Sequence, residues 1–315
     1  MRKYTNILVI AEPKKDVQIA LKRALDIAKF NPKATITYLR VVYDFSYDLL
    51  ILNKVKEKPI HEDIEQTHID HLNQIIEEYR AQENSEATIV PKVVENRDVG
   101  EAVIDEMRAG NYDLIIKAAN RHGLLDSIIF TPIDWFILRH AEIPVIIAKN
   151  NDWQTGGNIA VCVDFTLNDH LQSNVAMLRE AQVLAKTTGS RIHLINSAPV
   201  YMPTVMLEVP HYSPDLYEQG VLEEHKSRMY EFADKHHIDR EYCHIEEGMP
   251  DDVIPSICEQ INAKAVLIGS AGRSGFAAAL IGNTCEEIVD DIDADLFVLN
   301  RKAIKLEKEK EKNRE

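Results

Sequence analysis

The chain has 315 residues, with 36 Lys plus Arg against 51 Asp plus Glu and a formal charge of −15, a length that suits two ordinary domains. Its 45% hydrophobic and 28% charged residues exclude a wholly disordered or collagen-like polymer, and the acid surplus speaks against nucleic acid or an anionic membrane as partner. No stretch reaches the roughly 18 uninterrupted apolar residues of a membrane helix, no signal peptide precedes the first strand pattern, and Cys162, Cys243, Cys258 and Cys285 form no Cys-x-x-Cys pair, so a cytoplasmic protein without a disulfide framework is expected.

In chain order, β-branched runs alternate with segments of helical period, the pattern of a parallel sheet covered by helices. Strands are expected from near Ile7, Thr35, Thr88, Leu114 and Pro144, with helices over Gln18 to Phe30, Glu62 to Tyr79, Gly100 to Arg108 and Asp134 to His140. The polar segment Asn150 to Gly157 then reads as an exposed connection, with the boundary near Gly156. Further strands are expected at Ile159 to Asp164, Ile192 to Ser197, Glu241 to Ile245, Ala265 to Gly269 and Asp295 to Leu299. After Arg301 the alternating charges leave too little apolar surface to dock firmly, so a frayed helix or disorder is expected.

The second half repeats the first. Asn6-Ile-Leu-Val-Ile-Ala-Glu12 and Asn158-Ile-Ala-Val-Cys-Val-Asp164 are apolar runs ending in an acid, 152 residues apart. The same offset lays Leu114 to Lys117 on Val266 to Gly269 and Pro144 to Ile147 on Leu296 to Leu299. The fold class expected is α/β, as two tandem five-stranded parallel open-sheet domains at 1–150 and 157–303, followed by a charged tail at 304–315. Val145 to Ala148 and Phe297 to Leu299 are apolar edge candidates that invite pairing, within one chain as a pseudo-dimer or between two as a homodimer.

The sharpest motif begins where the fourth strand of the second copy ends: Gly269-Ser270-Ala-Gly272-Arg273-Ser-Gly275, then Gly282-Asn283-Thr284. Glycines let backbone approach a ligand, and a turn leading into a helix offers unpaired N–H groups and a partial positive charge to an anion. Asn283 and Thr284 can cap that helix and donate to phosphate, and Arg273 adds a cation. Ligands of open α/β sheets bind beyond the carboxyl ends of the strands where the order reverses. There Asp164, with Thr166 two residues on, can accept hydrogen bonds from a base or ribose. The spacing fits neither a Walker A loop nor the Gly-x-Gly-x-x-Gly fingerprint.

Gly269-x2-Gly272-x9-Gly282 followed by a small polar residue resembles the ATP-binding loop of universal stress proteins, with Asn283 in place of the usual Ser or Thr. Asp164 matches the family's acidic residue at the end of the first strand, and Phe130-Thr-Pro-Ile-Asp-Trp135 in the first copy is similar to the tandem form. The resemblance covers nearly the whole chain, twice. It implies the strand order 3-2-1-4-5, ATP as ligand, with or without magnesium, and a role in stress survival as sensor or adaptor. At the 152 offset Gly269, Gly272 and Gly282 fall on Lys117, Asn120 and Phe130. The first copy is therefore expected to lack the phosphate loop and to serve as a structural or protein-binding domain, although Glu12 keeps an acid at its strand end.

Other constellations are weaker. His68 and His71 share a helix face beside Ile64, Leu72, Ile75 and Tyr79, so half-buried packing outweighs a metal site. His236 and His237 read as a solvent-facing helix end. Cys243 and His244 alternate faces of a strand, and Asp251 and Asp252 read as a first helical turn. Phe276 to Ile281 could line an apolar pocket, though packing is the commoner meaning of such a run. No catalytic residues are assigned. A slow ATPase using the same loop, and a carrier of a lipid-like or other small apolar ligand, are the rival expectations to nucleotide binding without turnover.

Overall fold

The computed structural model describes residues 4–12, 17–31, 33–43, 58–83, 85–121, 128–151, 153, 156–166, 170–198, 214–270, 288 and 291–312. They fall into two compact units, Met1–Trp153 and Gln154–Glu315.

The first unit runs β1 (Asn6–Ile10), α1 (Ile19–Ala28), β2 (Thr35–Val42), α2 (Lys58–Glu83), β3 (Thr88–Glu95), α3 (Val99–Ala109), β4 (Leu114–Ala118), the short antiparallel pair β5 (Asn120–Arg121) and β6 (Ile128–Ile129), α4 (Pro132–His140) and β7 (Val145–Ala148). Its parallel strands lie in the order β3-β2-β1-β4-β7, which is 3-2-1-4-5 counted along the main sheet. The inner strands β1 and β4 are nearly continuous apolar runs because helices cover both faces. β3 instead alternates buried and exposed residues and carries Pro91, which a strand tolerates at the sheet edge.

Helix α1 buries Ala20, Leu21, Ala24, Leu25 and Ile27 and also Arg23, at 2% exposure. That guanidinium pairs with Asp26 at 3.0 Å and donates to the Asn151 backbone oxygen at 2.7 Å, tying the helix to the segment after β7. Asp98 caps α3 by accepting from Glu101 N at 2.9 Å.

The second unit runs β8 (Asn158–Cys162), α5 (His170–Thr188), β9 (Arg191–Ala198), α6 (Pro214–Lys235), a 3-10 turn at Arg240–Tyr242, β10 (Cys243–Glu247), α7 (Pro250–Gln260), β11 (Ala263–Ser270), β12 (Asp295–Asn300) and α8 (Arg301–Lys312). Its parallel order is β10-β9-β8-β11-β12, again 3-2-1-4-5.

Four details differ from the sequence reading. The third strand of this unit starts at Cys243 and not at Glu241, because Tyr242 N donates to Asp239 O and closes the 3-10 turn. The tail docks through its first turn: Asn300 Oδ1 accepts from Lys302 N and Ala303 N, and Ala303 and Ile304 are buried. His236 is half-buried against Phe232, with its pKa lowered chiefly by burial, whereas only His237 is solvent-facing.

The fourth concerns register. Val9 pairs with Ile116 and Val161 with Leu267, so the offset between copies is 152 on the first strand and 151 on the fourth. The second copy is thus one residue shorter between these two strands, and a bulge between Ala263 and Ala265 shifts the register at the start of β11. Gly269 therefore corresponds to Ala118 in the ladder, and Lys117 points to the other face.

On the β9–β10 side His193 is 8% exposed and lies 2.9 Å from His244, ring nitrogen to ring nitrogen. Its Nε2 faces Asn158 Oδ1, which only accepts, so its Nδ1 accepts from His244. Burial, then His244 and Arg191, push the His193 pKa down to about 4. Above pH 6.5 this group leaves stability unchanged. As pH falls from 6.5 toward 4 the unfolded chain gains a proton that the native chain refuses, so stability should drop by about 2 kcal/mol. Urea unfolding at pH 7 and pH 4.5 measures this, and His193→Gln should flatten the difference.

Candidate functional site

The carboxyl ends of β8 and β11 meet where the strand order of the second unit reverses, the place at which open α/β sheets bind ligands. Asp164 lies two residues beyond the last residue of β8 and is fixed from α5. Asn174, buried, accepts from Asp164 N at 3.1 Å and donates to Asp164 O at 2.8 Å. The Asp164 carboxylate is half exposed, its side chain at 50%. One oxygen accepts from Thr166 N at 2.8 Å and Thr166 Oγ1 at 2.7 Å, and the other lies 2.6 Å from His170 Nδ1. Each carboxylate oxygen has two acceptor positions, so one on Oδ2 stays open to an incoming hydroxyl or amine.

Beside it a cleft of about 570 Å³ is lined by Phe165, Thr166, Tyr217, Val221, His225 and Arg228, among others. Arg228 is held by Glu224 at 2.7 Å and donates to Phe165 O at 2.7 Å, which fixes one wall. His225, its pKa lowered first by burial, lies 2.7 Å from Asn196 Oδ1, and Asn196 in turn donates to Val163 O. An apolar wall with a few fixed polar groups is the usual make-up of a small-molecule site.

Of the residues singled out from the sequence, Asp164 and Thr166 are joined by hydrogen bonds, and Thr166 lines the cleft. Gly269 is the last residue but one of the neighbouring strand, but a Cβ there would meet Met177 Sδ at 3.0 Å, so its bareness serves the packing of α5 on β11. The Ser270 side chain, Gly272, Arg273, Gly282, Asn283 and Thr284 lie outside the described residues, as do Gly275 and the run Phe276 to Ile281. His170, Asn174 and the α6 wall were not singled out from the sequence. His170 and Asn174 look like any polar residues of the first two turns of a helix, and the α6 residues only become neighbours of Asp164 in space.

The first unit treats the same places differently. Gln18 clamps Glu12, accepting from Glu12 N at 2.9 Å and donating to Glu12 O at 3.0 Å. The Glu12 carboxylate turns inward and accepts from Ile19 N at 2.8 Å, capping α1, and the residue is buried. At the start of α4, Thr131 and Asp134 form a capping box, and Pro132 at the first helical position has no N–H to offer. Asp134 is fully buried, one oxygen 2.6 Å from Lys117 Nζ and the other accepting from Thr131 N and Oγ1 at 2.7 Å. A helix end whose cap is taken by its own carboxylate has fewer donors and a less favourable field for phosphate.

His71 Nδ1 lies 2.6 Å from Arg40 Nη1. A guanidinium only donates, so the lone pair a metal would need is taken by a cation. Among the described residues no group of three or more His, Cys, Asp or Glu could hold a metal ion, and no helix is long and apolar enough to cross a membrane.

The profile of the universal stress protein family matches residues 3–149 and 157–300. The chain is 33% identical over 304 residues to universal stress protein E of Photorhabdus laumondii, covering 95% of this chain and 96% of that protein. It is 32% identical over 303 residues to universal stress protein E of Escherichia coli K12, covering 95% of each. Among solved structures, a protein of unknown function from Pseudomonas aeruginosa PAO1 superposes with a TM-score of 0.71 at 26% identity, covering 99% of this chain and 98% of the other. A universal stress protein from Archaeoglobus fulgidus gives 0.66 at 19% identity, covering 94% and 98%, a likeness of fold.

Proposed function

Since the chain belongs to the universal stress protein family, we propose that it binds one adenine nucleotide, ATP, in its second unit, and that the first unit takes none. The observation that carries this reading is the contrast between the two acids at the strand ends. Asp164 keeps its carboxylate half exposed, next in sequence to Phe165 and Thr166 of the cleft wall, while Glu12 spends its own on capping α1. In this arrangement Asp164 takes a ribose hydroxyl or a base amine on its open acceptor position, and Phe165 and Val221 offer apolar surface to the base. The glycine motif from Gly269 to Thr284 supplies backbone N–H groups to the phosphates, with Arg273 as a cation. The function assigned is binding, as a sensor or adaptor in a stress response, without turnover and with the first unit available to a protein partner.

Titration calorimetry with ATP tests it. The expected stoichiometry is one per chain, with affinity reduced roughly tenfold by Asp164→Ala, the loss of one charge-assisted hydrogen bond. Two sites per chain, or unchanged affinity in Asp164→Ala, would contradict the reading.

A further inference from the structure

Arg40, on β2 of the first unit, is only 4% exposed. Its Nη1 is engaged by His71, but its Nε and Nη2 are buried without a hydrogen-bond partner. Those two N–H groups lie along one edge of the guanidinium, the edge that takes two oxygens of a carboxylate or phosphate in parallel. No described carboxylate lies within ion-pair distance of Arg40. Tyr38, on the same face of β2, is no substitute. Burial raises its pKa far above the ordinary tyrosine value, and its hydroxyl donates to Gln18 Oε1 at 2.6 Å. His68, half-buried on α2, has its pKa lowered by burial first and then by Arg40 and His71, so it brings a neutral ring.

A buried charge without an opposite charge costs several kcal/mol and is kept in a fold only when something offsets it. Here two aligned donors wait beside His68 and His71, and His71 is exposed on α2, which puts one side of the cluster at the surface. We propose that Arg40, with His68 and His71 beside it, binds a single oxyanion group, phosphate or carboxylate, of a small soluble ligand. The site lies in the unit to which the nucleotide reading assigns no ligand, and it stands whether or not that reading holds.

The experiment uses the full chain carrying Gly282→Val, which silences the candidate loop of the second unit, at constant ionic strength set with chloride. Inorganic phosphate and acetate are titrated separately while the arginine Nε–H signals are followed by nitrogen-15 NMR. One Nε–H signal, absent in Arg40→Met, should shift saturably. Saturation by phosphate at concentrations at least tenfold lower than by acetate assigns a phosphoryl ligand, and the reverse assigns a carboxylate. The ring-nitrogen signals of His68 and His71, followed in the same titrations, should saturate over the same range; Arg40→Lys keeps the charge but lacks the fork, and by these histidine signals it should need about tenfold more anion or more, so the test survives if the methionine variant folds poorly. No saturable shift with either anion, or saturation of the histidine signals at unchanged anion concentration in Arg40→Lys, overturns the proposal.

Discussion

Replacing Lys117 with alanine is expected to destabilise the first unit by about 3 to 5 kcal/mol, because it leaves the fully buried Asp134 carboxylate without its cation. Asp134→Ala should cost a similar amount, since it removes the Lys117 partner and the capping box of α4 together. The double variant Lys117→Met with Asp134→Leu removes both charges and fills the space with apolar groups. It should recover most of the loss, as buried pairs replaced by well-packed apolar residues are often neutral. Chemical unfolding of the three variants reads these differences directly. A loss below about 1 kcal/mol in Lys117→Ala would mean that the pair is solvated and acts like a surface ion pair.

The second large effect concerns affinity. Gly272→Val should weaken ATP binding at least ~100-fold, the equivalent of about 2.7 kcal/mol, because a β-branched side chain fills space that the phosphates need or demands a backbone conformation valine resists. Calorimetry on this variant should show no heat at ATP concentrations that saturate the natural chain, with melting behaviour otherwise unchanged. Unimpaired binding would take the glycine motif out of the site, while the cleft beside Asp164 would remain.

The sequence alone determined the repeat, the fold class and the order of elements. Those rest on short-range physics: continuous apolar runs such as Ile7 to Ile10 and Leu114 to Ile116 signal strands buried on both faces, and glycine, proline and polar clusters end them. It also pointed to Asp164, since an acid closing an apolar strand is visible in one dimension. Tertiary structure alone decided the rest, because it depends on which faces meet. The strand ladder lays Gly269 on Ala118, where the 152-residue count lays it on Lys117, and that one-residue shift exchanges the faces of a strand. Glu12 and Asp164 occupy the same place in the sequence pattern, yet one carboxylate turns inward to Ile19 N and the other stays half exposed. That choice is set by a side-chain length and by how the start of the following helix, six to ten residues on, is laid against the strand end. Likewise Lys117 and Asp134, or Arg40 and His71, are strangers in the sequence and partners only once the helices are laid on the sheet, where burial turns a separation of a few ångströms into several kcal/mol.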